Sequence, residues 1–148
     1  MATDNAKVLG EESPGVQAHL SILQAVIQRM AANSSSAKAW CITLASAILV
    51  VVADKGQPQY ALIALIPTVL FLVLDAYYLA LERSFRGSYR CFVEKLHQDR
   101  ATAADLYEVV PRGHLGREFL RALLSFSIWP FYLTLLALIG AAIRLVLS

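Results

Sequence analysis

Four residues whose side chains can hold an anion recur along one stretch of the chain: Arg83, Arg86, Arg90 and His97, at i, i+3, i+7 and i+14. On an α-helix that spacing puts all four on one stripe. Guanidinium groups suit phosphate because each planar fork donates two parallel hydrogen bonds. The stripe is therefore a candidate binding surface for a phosphate-bearing ligand. Arginines that follow the charge rule of membrane proteins and rest on anionic lipid are the alternative. Asp75, Tyr78 and Glu82 lie just ahead of the stripe. Asp75 stands at the edge of an otherwise apolar run, where a charge usually faces a bundle interior or water. It is expected either to pair with Arg83 or with an arginine of a neighbouring copy, or to line a pore or gate with Tyr78 and Glu82. Glu82 and Arg86 are spaced i,i+4 in the favourable order for an ion pair on a helix.

Chemistry of other kinds has little to stand on. The chain contains no G-x-S-x-G, H-E-x-x-H, P-loop or G-x-G-x-x-G pattern. His19, His97 and His114 share no ligand spacing with cysteines or carboxylates, so no metal site, catalytic residue or cofactor is expected. Cys41 and Cys91 fall on different elements and are expected to remain thiols.

The elements that must carry the stripe follow from composition. The chain has 148 residues, 57% of them hydrophobic and 16% charged. Soluble domains run nearer 45–50% apolar and about 25% charged. This balance argues against a soluble globular domain, a disordered tail or a coat for nucleic acid, and the net charge of +2 is too small to imply a polyanion partner by itself. Charge-free runs extend over 39–53, 56–74 and 122–143. A spanning helix needs about 20 apolar residues. The second and third runs suffice, and the first does if it begins near Ser36 with Lys38 reaching to the headgroups. Tyr60 and Tyr77–Tyr78 bracket the second run and Trp40 opens the first, as aromatic residues do at membrane interfaces.

The expected class is an all-α integral membrane protein. Residues 1–12 form an irregular N-terminus and 13–35 an amphipathic helix begun by Ser13-Pro14. Residues 36–81 form a hairpin of two spans turning at Asp54–Gln59, and 82–121 a helical connector. Residues 122–148 form a third span or a helix kinked at Pro130. Asn33-Ser34-Ser35-Ser36 is expected to interrupt the chain before the first span, whereas helix continues past Asp75 towards Gln98. Residues 101–110 read as a short helical patch. Eight of the thirteen basic residues lie in 82–121 and one in the 54–59 turn. That asymmetry puts the N-terminus and the connector in the cytoplasm, with no cleaved signal peptide expected.

Two further stripes bear on assembly. Val16, Leu20, Leu23, Ile27 and Met30 follow one another at spacings of 4, 3, 4 and 3, two heptads of apolar surface for self-association or for lying on the membrane or the rest of the chain. Ala39, Thr43 and Ala47 recur every four residues, a small face that permits close helix contact between copies, and Leu133, Ala137 and Ala141 repeat the spacing. Three short spans do not enclose a transport path within one chain, so any path must lie between copies. A closed homo-oligomer is expected, with four copies the working number.

The run Asp75-Ala76-Tyr77-Tyr78-Leu79-Ala80-Leu81-Glu82-Arg83-Ser84-Phe85-Arg86, following an amphipathic helix and a two-span hairpin, resembles the SLATT family of small membrane effectors. The likeness covers roughly residues 13–100, and Asp75, Tyr77, Tyr78, Glu82, Arg83, Phe85 and Arg86 carry it. It implies a membrane pore effector of bacterial antiphage, abortive-infection defence, sited in the inner membrane. It also implies control by a nucleotide or oligonucleotide from a partner nucleotidyltransferase, as in Hailong-type systems. A non-conducting scaffold that tethers a cytoplasmic partner is the alternative, with a lipid-acting membrane enzyme behind both.

Overall fold

The computed structural model describes residues 9–147, with Pro58, Val146 and Leu147 described by backbone alone. Among the described residues every regular element is helical, and two helices are long and apolar enough to cross a membrane.

The first helix, α1, runs unbroken from Pro14 to Lys55. Ser13 takes the extended conformation of an N-cap and Pro14 the first helical position, where a missing N–H costs nothing. Gly56 ends the helix with a left-handed φ of 62°. The expected interruption at 33–36 is absent. Asn and Ser weaken a helix by only about half a kcal/mol each, and no Gly or Pro occurs between 16 and 55. Ser34 is instead buried against α2, and this packing carries the helix through.

The hairpin turn is longer than six residues. After Gly56 the chain forms a 3-10 helix at Pro58–Ala64, and α2 occupies Leu65–His97. Pro67 lies in the first turn of α2, where a helix N–H has no acceptor. As expected, α2 passes Asp75 without interruption to its cap at Gln98. Its inward face carries Thr68 and then an i+4 ladder of small residues, Ala76, Ala80, Ser84 and Ser88, finished by Phe92 and Leu96. Ser34, Ala37, Cys41 and Ala45 of α1 meet it, so the two backbones pack closely along most of their length.

From Asp99 the chain doubles back along α2 as a strap. Leu9 N–H bonds the Ala101 carbonyl, Ser88 Oγ donates to the Val110 carbonyl at 2.6 Å, and Arg112 N–H bonds the Ser84 carbonyl. The expected helical patch at 101–110 reduces to one 3-10 turn, Ala103–Asp105, closed by a capping box between Thr102 and Asp105. The N-terminal segment expected to be irregular is anchored by the Leu9 bond over its described part; residues 1–8 lie outside the described residues.

The strap leads into α3, Leu115–Leu123, then a bent stretch 124–128, then α4, Trp129–Leu147. The third hydrophobic segment is thus broken ahead of Pro130, which sits in the first turn of α4 and disrupts nothing. The apolar part of α4, Trp129–Leu145, is shorter than that of α1 or α2. One core joins Cys41, Ala45, Ala76, Ala80, Ile128, Tyr132 and Ile139; a second joins Val16, Phe92, Leu96 and Ala101 at the basic end.

Candidate functional site: a basic groove beside a buried ion pair

Because α2 continues as a helix beyond its apolar part, Arg83, Arg86 and Arg90 emerge on one side. The strap adds Arg112, and the four guanidinium-bearing residues line a groove of about 350 Å3 with Ser84, Gly87 and Glu118. Arg83 donates to Ser125 Oγ at 2.7 Å, and Arg86 pairs with Glu82 at 2.7 Å as its spacing required. Arg112 donates to the Cys91 sulfur at 2.6 Å. Arg90 keeps its guanidinium unpaired among the described residues. The groove sets four guanidinium groups against two carboxylates, Glu118 in its lining and Glu82 on Arg86, the charge balance of an anion site.

His97 does not belong to it. It lies near the far end of α2, 3.7 Å from the Glu11 carboxylate and mostly exposed. An i+14 spacing keeps angular register but moves the side chain about 21 Å along the axis, too far to share one small ligand with Arg83.

Asp75 is corrected more sharply. It is fully buried, and its partner is neither Arg83 nor an arginine of another copy. Lys38 Nζ lies 2.6 Å from its Oδ2, the Ser34 hydroxyl donates to Oδ1, and Lys38 also approaches Ser34 Oγ at 3.4 Å. The Tyr132 hydroxyl of α4, equally buried, lies in the field of the same carboxylate. Asp75 therefore ties α2 to α1 from inside, with its carboxylate fully buried. Tyr78 is half-buried in a shallow groove with Asn33, Trp40 and Leu74, and Glu82 is occupied by Arg86.

The heptad stripe is largely consumed within the chain. Val16, Leu23 and Met30 are buried and Leu20 packs against the second core, so these residues meet the rest of the chain; Ile27 is half-buried beside Arg86 and Arg90. Ala39, Thr43 and Ala47 are exposed, the Thr43 hydroxyl donating to the Ala39 carbonyl at 2.9 Å. The small face that packs on α2 is Ala37, Cys41 and Ala45, two residues away and hence on the opposite side of α1.

Sequence reasoning missed a second pocket, which shares Arg112 with the groove and is lined by His19, Phe92, Lys95 and Asp105. His19 is buried, edge-on to Phe92 at 4.4 Å, and its Nδ1 accepts the Tyr107 backbone N–H at 3.0 Å. Tyr107 is held at φ 64°, a strained conformation for a residue with a side chain. Burial pushes the His19 imidazole below its ordinary pKa, with Asp105 acting the other way. Lys95, with help from the Thr102 backbone, holds the Asp105 carboxyl below the usual range. Gly15 makes room for this strap, since a Cβ there would come within 3.0 Å of Leu106 Cδ1. The i+4 ladder Ala76, Ala80, Ser84, Ser88 was the available signal for the packed face. Nothing local in the sequence pointed to Lys38 or Tyr132 as neighbours of Asp75.

Among the described residues no three His, Cys, Asp or Glu side chains cluster as a metal site would require. No family model matches the chain, and neither the curated proteins nor the solved structures compared with it yield a match.

Proposed function

We propose that this chain is a multi-pass protein of the bacterial inner membrane, N-terminus cytoplasmic, that assembles as a homo-oligomer into a ligand-controlled channel. Membrane integration is supported by what α1 and α2 leave uncovered. Only 22% of the most apolar stretch of either helix is buried within the protein, whereas the core helix of a soluble domain is mostly buried. Trp40, Val50, Ile66 and Val69 all point outward. Such a surface needs hydrocarbon or other protein around it.

The reading is carried by one observation: Arg83, Arg86, Arg90 and Arg112 converge on a single groove where α2 leaves its apolar stretch. A phosphate-bearing ligand there would bridge α2 to the strap. The SLATT resemblance makes that ligand a nucleotide or oligonucleotide and the output loss of membrane potential during phage defence. The exposed face Ala39, Thr43 and Ala47 is the natural contact between copies. The test is ion flux from liposomes holding the purified protein, with and without nucleotide. Arg90→Glu with Arg112→Glu should change the ligand response by at least tenfold in apparent affinity, two charge-assisted contacts being worth about 1.5–3 kcal/mol each. An unchanged response removes the groove from the reading, and absence of flux under every condition favours a scaffold.

A further inference from the structure

The outward face of α3 divides into two halves. Leu120 and Leu124, one turn apart, are 62% and 75% exposed. Arg117 and Arg121, also one turn apart, lie beside them and are exposed. Arg121 pairs with Glu118 at 2.7 Å while its side chain stays more than half exposed; Arg117 has no side-chain partner among the described residues. Phe119, Ala122 and Leu123 occupy the inward face and join the main core. Just beyond the helix, Phe126 is 88% exposed and Trp129 is exposed as well.

A water-facing helix does not present Leu120, Leu124 and Phe126 in sequence, and a membrane-spanning one does not present two arginines in nine residues. An interfacial helix presents both, with its apolar half sunk to the acyl boundary and its cationic half among the headgroups. The level in the fold agrees. α3 packs on α2, and Arg83 ties the bend at Ser125 to it, just beyond the buried Asp75. Trp40, Tyr77 and Trp129 are all exposed and belong to elements meeting at this end of the apolar stretch, the composition of an interfacial belt.

We infer that α3 is an interfacial anchor whose Leu120/Leu124/Phe126 edge enters the bilayer and whose Arg117 and Arg121 bind anionic phospholipid headgroups. The inference rests on the membrane integration proposed above. Charge complementarity and continuity with the apolar surface of the hairpin make the occupant lipid. Because α3 joins the groove-lining strap to α4, it couples headgroup charge to the position of Arg112.

Two single-tryptophan reporters separate the outcomes. W129F leaves Trp40 to report the hairpin. W40F/W129F/F126W places the reporter beside α3, at a position open enough to accept the larger ring. Both are reconstituted in vesicles of acyl-brominated phosphatidylcholine, with and without phosphatidylglycerol. The inference expects quenching of both reporters, deepening at F126W by at least twofold when phosphatidylglycerol is present. R117E/R121E should abolish that deepening and leave Trp40 quenching unchanged. Quenching of Trp40 alone overturns the inference while the membrane reading stands. Protein-dependent energy transfer between F126W copies without lipid quenching makes α3 a contact between protomers and overturns it too. Quenching of F126W that is indifferent to phosphatidylglycerol removes the headgroup role, and no quenching of either reporter removes the membrane reading itself.

Discussion

Lys38 and Asp75 form a pair whose two members are unequally trapped, and that inequality predicts an asymmetric response to mutation. The Asp75 carboxylate is fully buried, whereas the Lys38 side chain keeps 20% of its surface exposed. Removing Lys38 by Lys38→Met leaves a carboxylate that cannot move to water and retains only the Ser34 hydroxyl as donor. An uncompensated buried charge costs about 3–5 kcal/mol. Neutralising the acid by Asp75→Asn keeps an acceptor for Ser34 and frees a partly exposed lysine that can extend along its stem to a polar surface. Its cost is that of a lost charge-assisted bond, about 1–2 kcal/mol. The double variant Lys38→Met/Asp75→Asn should return close to the Asp75→Asn value, a coupling of at least 2 kcal/mol and far from additive. The assay is reversible unfolding in mixed micelles followed by helical circular dichroism. Equal losses in the two single variants, or additivity in the double, would refute the reasoning and reduce the pair to the ~0–1 kcal/mol of a surface ion pair.

The two small-residue faces of α1 and α2 should behave oppositely in the same assay. Ala80→Leu intrudes between two packed backbones and should cost about 1–3 kcal/mol, whereas Ala47→Leu, on an exposed face, should leave protomer stability unchanged. Gly56→Ala places a side chain at φ 62° and should cost about 1 kcal/mol, read as a lower midpoint. The His19 imidazole, held neutral by burial, stabilises the strap above its unfolded pKa near 6.5, and that contribution fades as pH falls. Once protonated, Nδ1 can no longer accept the Tyr107 N–H. Amide exchange across 101–112 should therefore rise severalfold between about pH 7 and pH 5, beyond the intrinsic change. His19→Asn, which retains an acceptor, should flatten that rise; a strap equally protected at both pH values refutes the latch.

Local signals in the sequence were read well where one element carried the whole message. The long α2, the Glu82–Arg86 pair and the common side shared by Arg83, Arg86 and Arg90 all follow from 3.6-residue periodicity in one segment. Readings that depended on which neighbour a face would meet failed. The heptad Val16–Met30 has the spacing of an intermolecular seam, and periodicity alone cannot tell that seam from a groove on α2 of the same chain. The serine run 33–36 has the composition of a break, yet α1 lies against α2 there and Ser34 gains a buried partner. The i+8 arginine is the nearest cation that spacing offers Asp75 on its own helix, while its partner stands 37 positions earlier on the facing helix. Long-range pairing of that kind leaves no periodic trace in one sequence.

The continuity of α1 has a mechanical corollary. At ~1.5 Å per residue its 42 residues make a rod about 63 Å long. Within its packing against α2, the Lys38–Asp75 pair clamps that rod about 36 Å from Pro14 and about 26 Å from Lys55 at the same rise. A tilt of about 5° about that pair would swing the Pro14 end by ~3 Å and the Lys55 end by ~2 Å, by the same helical geometry. A jointed chain would absorb such a displacement at residues 33–36. An unjointed one passes it on, so leverage exerted beside the strap arrives at the hairpin turn with its sense reversed and about two-thirds of its size.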